Sequence, residues 1–332
     1  MSPPDPKQLH VVKDFEYTSP FVSCRFDPNG RFVFAGAEDR SVQRFDLASG
    51  NRVSLEAHDS WVRAIGFSPD GTKFYTGGYD GRLIFWPAEA EKPVPDGSIE
   101  AHRGWIRSLA VSPDGQTIAT AGNDHLVKLW NAADGNFIAE FAGHESHIYY
   151  VMFHPTGQFL LSGDLKGQVK QWDVSTAQAV RTFDASPLHS FNGGQGVDYG
   201  GIRSLGMSAD GKHLACSGLH KATNPLGAVN EPLVVLFDWE SQKTVRSHVV
   251  SGVKGILWQV VYHSQLGLVG GSGGSGGGWI VFWQPDQDKE QFKFKMPNTV
   301  RDLDLHKDGL RIATAHHDKR IRLSSMAPKA KG

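Results

Sequence analysis

The sequence predicts an all-β fold assembled from repeated four-stranded antiparallel sheets, and three observations carry that reading. Residues 60–86 (SWVRAIGFSPDGTKFYTGGYDGRLIFW), 104–130 (GWIRSLAVSPDGQTIATAGNDHLVKLW) and 146–172 (SHIYYVMFHPTGQFLLSGDLKGQVKQW) read as copies of one another. Each copy divides into short β-rich apolar runs bounded by turn residues. The copies recur at roughly 40–45 residues, the span of one propeller blade. A unit this small cannot bury its own apolar face and must stack on its neighbours, so the copies form one body.

Within residues 60–86 the elements follow in order. Trp61, Ile65 and Phe67 belong to a first strand that ends at Ser68-Pro69-Asp70-Gly71. Proline presets φ and glycine admits positive φ, so this is a tight turn between antiparallel strands. A second strand over 73–77 reaches the turn Tyr79-Asp80-Gly81, and a third covers 82–86. A polar stretch and a weaker fourth strand then lead to Ala101-His102 and the next copy.

The spacing His…Ser-Pro-Asp-Gly…Thr…Asp…Trp resembles the WD-repeat family, and the resemblance covers nearly the whole chain. It implies a ring of four-stranded blades in which a His, a Ser or Thr, an Asp and a Trp form a buried hydrogen-bonded tetrad. The matching residues are His58, Thr76, Asp80 and Trp86 in one copy and His102, Thr120, Asp124 and Trp130 in the next. The third copy has His144, Ser162 and Trp172, with Lys166 where the Asp is expected.

Counting weaker copies gives seven. The first holds Asp27-Pro28-Asn29-Gly30, Asp39 and Phe45 in the Trp position; the fifth holds Ser208-Ala209-Asp210-Gly211; the sixth runs through Trp283; the seventh holds His306-Lys307-Asp308-Gly309 and Asp318. The expected architecture is a single seven-bladed β-propeller over 1–325, with a flexible tail over 326–332. Its blades are expected at 21–56, 61–101, 105–142, 147–184, 201–249, 256–295 and 299–325. The last copy stops after three strands, and residues 8–15 are the natural fourth, which closes the ring and removes two sheet edges.

Composition narrows the function. The 332 residues carry a net charge of −1, so no global field draws the chain to nucleic acid or an acidic membrane. Lys and Arg form no runs. Cys24 and Cys216 belong to no CxxC pair and read as reduced core thiols. The first residues have no apolar signal region and no run of about 18 apolar residues occurs. A soluble cytoplasmic protein, monomeric on its own, is expected.

Departures from the repeat carry the specific information. Two insertions, 184–200 (DASPLHSFNGGQGVDYG) and 218–232 (GLHKATNPLGAVNEP), fall in the fifth copy, and the resemblance places both on one rim, as loops on a rigid scaffold where binding usually resides. Beside them, 270–278 (GGSGGSGGG) replaces the Asp turn of the sixth copy. It lacks the Gly-Lys-Ser/Thr of a phosphate loop and is flanked by strands, so a close-approach turn is expected rather than nucleotide binding.

Positions three and five after the His position are Trp61 and Arg63, then Trp105 and Arg107, then His147 and Tyr149. Later copies supply Gly201 and Arg203, Ile256 and Trp258, and Thr299 and Arg301; the residues before the structural Asp add Glu38, Tyr79, Asn123 and His317. The resemblance places these at the channel mouth. Trp, Tyr, His and four Arg form the composition enriched at interface hot spots. Four arginines there favour an acidic or phosphorylated segment of a protein partner.

Catalytic chemistry is sparse. The inner strands carry no carboxylate except Asp302 and Asp304, and no nucleophile elbow occurs. No cofactor or metal is expected. The expected role is a non-catalytic protein-interaction scaffold. Alternatives are a hydrolase-like enzyme under the fifth-copy loops using His189, Asp198 and His220, or a structural subunit of a fixed complex.

Overall fold

Adjacent residues on a strand point to opposite faces, so apolar residues at successive positions suit a sheet buried on both sides. The computed structural model, which describes residues 3–222 and 230–329, has seven four-stranded antiparallel sheets. Blade 2 shows the pattern: Val62–Phe67, Lys73–Gly78, Arg82–Pro87 and Gly97–Glu100, paired in sequence order. The first strands of the blades, among them Phe21–Phe26, Ile106–Val111 and Val300–Leu305, touch one another in an unbroken seven-membered ring. They therefore line the centre. The fold is a seven-bladed propeller.

Seven apolar clusters hold it together, one at each blade–blade interface among the described residues. Phe74 faces blade 1 beside Phe34 and Trp86, whereas its neighbour Tyr75 faces blade 3 beside Ile106 and Ile118. Cys24 and Cys216 are buried and free in two of these clusters. Burial of each such aromatic side chain is worth about 1.5–3 kcal/mol.

The ring is closed by the N-terminal strand. His10–Glu16 pairs antiparallel with Arg320–Ser325, His10 opposite Ser325 and Glu16 opposite Arg320. Phe15 is buried there against Phe45, 4.9 Å between ring centres. Between blades, polar side chains tie inner strands together. Ser108 Oγ accepts from Val151 N at 3.2 Å, and Ser204 Oγ from Val260 N at 3.3 Å. At the closing seam Asp302 accepts from Cys24 N at 3.0 Å and Asp304 from Phe26 N at 2.8 Å. Arg25 pairs with Asp302 at 2.7 Å.

In blades 2, 3 and 4 a chain of hydrogen bonds links the blade interior to the loop. Trp86 Nε1 donates to Thr76 Oγ1 at 2.9 Å, and the His58 ring bridges Thr76, 2.8 Å from Nε2, and Asp80, 2.9 Å from Nδ1. An aspartate only accepts, so His58 Nδ1 carries the proton and the Thr76 hydroxyl donates to Nε2. His102, Thr120, Asp124 and Trp130 repeat this, each contact 2.8 Å. Burial alone would raise Asp80 and Asp124, but hydrogen bonds, first from His58 and His102 and then from nearby backbone N–H groups, hold both below the ordinary carboxylate range.

Blade 4 corrects the expectation at Lys166. His144 bonds Ser162 at 2.7 Å and Trp172 donates to Ser162 at 2.7 Å, but the carboxylate is Asp164, 2.8 Å from His144 Nδ1. Asp164 lies two residues before Lys166, at the position of Gly78, and so reaches the same imidazole from the end of the strand. In blade 7 the histidine itself moves to that position: His316 bonds Thr314 at 2.8 Å, while Asp318 accepts from Arg322.

The glycines of blade 6 are explained by a close neighbour. The strands Gly267–Gly274 and Gly277–Trp283 continue almost to the tip, and a Cβ on Gly273 would lie 2.2 Å from the Val300 carbonyl oxygen. Blade 7 leaves no room for a side chain there.

Candidate functional site

The mouth residues share a backbone irregularity that sequence spacing did not reveal. Strand pairing skips one residue between Val62 and Ala64, Ile106 and Ser108, Ile148 and Tyr150, Leu257 and Gln259, and Val300 and Asp302. The skipped residues are Arg63, Arg107, Tyr149, Trp258 and Arg301. A β-bulge re-aims the side chain of the unpaired residue. Arg203 holds the same position just ahead of Ser204–Met207, its N–H bonded to Ser217 O at 2.8 Å.

These side chains converge on Tyr149, which is buried, and on Trp258. The Arg63 guanidinium lies 5.2 Å from the Tyr149 ring and 5.7 Å from Trp258; Arg203 lies 4.5 and 5.6 Å from the same rings. Arg107 lies 4.9 Å from Tyr149 on one side and 4.5 Å from Trp105 on the other. Tyr79 and Asn123 hold it there, accepting from Nη1 and Nε at 2.9 Å each. Trp61, Tyr79 and Trp105 form an aromatic stack: Tyr79 and Trp105 are nearly parallel with centres 4.3 Å apart, and Trp61 lies 5.9 Å from Tyr79. Both tryptophans are about 40% exposed although large and apolar.

The charge at this mouth is unbalanced. Arg301 is paired with Glu38, and Arg25 with Asp302, so Arg63, Arg107 and Arg203 remain. Arg63 donates to a carbonyl, Val22 O at 3.0 Å. The Nε and Nη1 groups of Arg203 are buried and have no partner among the described residues. Burial pulls the Arg203 pKa down, opposed by Tyr149 and reinforced by the Arg63 and Arg107 charges. Burial would raise the Tyr149 phenol, but Arg63, Arg203 and Arg107 outweigh it and leave it below its ordinary range. Burying guanidinium nitrogens without a hydrogen-bond acceptor is costly, and an anion would supply one to Arg203.

Not every candidate joins the cluster. His147 Nδ1 donates to Asn123 O at 2.7 Å, and the ring stands 5.1 Å from His125. His317 is exposed and makes none of these contacts. The fifth-copy residues do not assemble into one centre. His189 pairs with Asp198 at 2.7 Å on a small hairpin, His189–Asn192 with Val197–Gly200, beside a groove of about 610 Å³. His220 instead faces Glu231 at 3.5 Å. Hydrogen bonds from Lys254 and Lys221 push Glu231 down to about 2. Residues 223–229 of the second insertion lie outside the described residues.

A seven-bladed ring with this buried tetrad defines a class, and comparison with known proteins supplies the family. The model described as "WD domain, G-beta repeat" matches residues 7–46, 51–87, 94–131, 135–173 and 289–323. These stretches make up more than half of the chain, and the chain belongs to the WD-repeat family. Among similar proteins, the Bos taurus "Serine-threonine kinase receptor-associated protein" is 34% identical over 79 residues, 24% of this chain and 23% of that protein. Its Homo sapiens counterpart is 33% identical over the same length. The Oryza sativa subsp. japonica "Small ribosomal subunit protein RACK1y" is 40% identical over 70 residues, 20% of this chain and 21% of its own. The matched stretches thus span less than a quarter of these relatives.

Proposed function

We propose that this protein is a non-catalytic interaction scaffold that docks a partner protein on the channel mouth. The observation that carries the reading is the set of three arginines without carboxylate partners among the described residues, set against an exposed aromatic stack. Aromatic and Arg side chains supply most interface energy, and guanidinium groups select carboxylate or phosphate. Receptor association and a place in a ribosomal subunit, in the names of two relatives, fit an assembly role. Two free thiols support a reducing compartment such as the cytoplasm.

The test begins with affinity capture on wild type and on Trp61→Ala, Trp105→Ala and Arg107→Ala, followed by calorimetric titration of the captured partner. At least one variant is expected to lose about 2 kcal/mol or more. Wild-type affinity in all three would remove the site from this face.

A further inference from the structure

Resting on that docking reading, we infer that the mouth recognises a two-point peptide motif. An oxyanion side chain sits on Arg63 and Arg203, and an aromatic side chain two or three residues along packs on Trp105. Three features of the geometry support this. The orphaned Nε and Nη1 of Arg203 lie beside Tyr149, where Arg63 also points. Arg63, Tyr149 and Arg107 themselves line a small cavity of about 60 Å³, closed on its other sides by Arg25, Tyr150 and Asp302 among others. A cavity of that size holds a few water molecules and is too small for a peptide segment, which favours a ligand seated over these side chains. Finally, Arg107 bridges the aromatic stack and the Tyr149 ring that those cations face. Arg107 touches Tyr149 and Trp105 on its two sides, 4.9 and 4.5 Å away.

The spacing follows from these distances. Because Arg107 lies 4.9 Å from the Tyr149 ring and 4.5 Å from Trp105, the ring that the cations face and Trp105 are less than 10 Å apart, and an extended chain advances about 3.3 Å per residue. Two or three residues therefore separate the acidic and aromatic side chains. A peptide with only one of the two groups leaves either the cations or the stack uncovered. Carboxylate and phosphate share the required chemistry, and the experiment separates them.

The test uses the full chain and fluorescein-labelled nine-residue peptides in a Gly/Ser background, read by fluorescence anisotropy. Each peptide carries one Glu or one phosphoserine and one Phe, separated by one to six residues; controls carry one group only. Peptides with separations of two or three are expected to bind at least tenfold more tightly than those with six or the single-group controls. Arg203→Met should abolish the advantage of the acidic group, and Trp105→Ala that of Phe, with wild-type melting curves showing that both variants are folded. A stronger phosphoserine series would identify a phosphorylated motif, and equal or stronger Glu peptides an acidic one. Affinity independent of spacing, or no binding up to about 1 mM, where the free energy falls to about −4 kcal/mol, overturns the motif. If the captured partner still depends on Trp105 and Arg107 in that case, the docking face stands and only the two-point motif falls.

Discussion

The Thr76 hydroxyl accepts from Trp86 and donates to His58, so one small group satisfies two buried nitrogens. His58 in turn needs a carboxylate, and blades 2 and 4 provide it differently. In blade 2 the position before Tyr79 must be glycine, because a Cβ on Gly78 would lie 2.4 Å from Asp80 Oδ1 and 2.5 Å from His58 Nδ1. In blade 4 that position is Asp164, whose side chain occupies the space, and Lys166 is released to the surface. The two solutions exclude each other sterically. Asp164→Ala is expected to cost about 1–3 kcal/mol in urea unfolding because it strands a buried imidazole N–H. Lys166→Ala should stay within about 0.5 kcal/mol. A larger effect at Lys166 would contradict the assignment.

At the scale of the strand, the inner strands serve two ends. Their bulges turn Arg63, Arg107 and Tyr149 toward the mouth, and their polar side chains fasten neighbouring blades. Asp304, on the inner strand of blade 7, accepts from Phe26 N at the closing seam. Burial, only partly offset by Arg25 and the Phe26 N–H, pushes its pKa up to about 6. Because the folded state holds this proton more tightly than the unfolded chain, the associated stability is present below pH 4 and lost as pH rises through 6. Asp304→Asn keeps an oxygen for Phe26 N and carries no charge. It should match wild type below about pH 4 and exceed it by up to about 3 kcal/mol above about pH 7. Chemical denaturation across that range measures the difference, and a variant less stable at pH 7 would refute it.

At the scale of the molecule, stability depends on closure. Each interface cluster needs two blades, and the interface of blades 7 and 1 combines Phe15 from one end of the chain with Ile321 and Leu323 from the other. Removing residues 1–16 takes away a strand, exposes the edge of Arg320–Ser325 and uncovers that cluster. Loss of a single cooperative thermal transition, or aggregation during size-exclusion chromatography, is expected. An unchanged melt would show that three strands suffice for the last blade.

Much of this was legible in the sequence because it depends on local chemistry and period. The Pro-Asp-Gly turns, the alternating strands and the blade length follow from residue order, and two full tetrads follow from resemblance in residues such as His58 and Trp130. Tertiary structure decided what neighbours impose across space. Asp164 reaches His144 from a position that linear spacing assigns to glycine. A bulge, invisible in residue order, aims Arg63 and Tyr149 at each other. Glu38 removes Arg301 from the free cations, leaving three where the sequence counts four. Repetition is a property of the chain, so the sequence determines the scaffold; charge balance at the mouth is a property of seven blades meeting, so only the fold determines which cations are left unpaired.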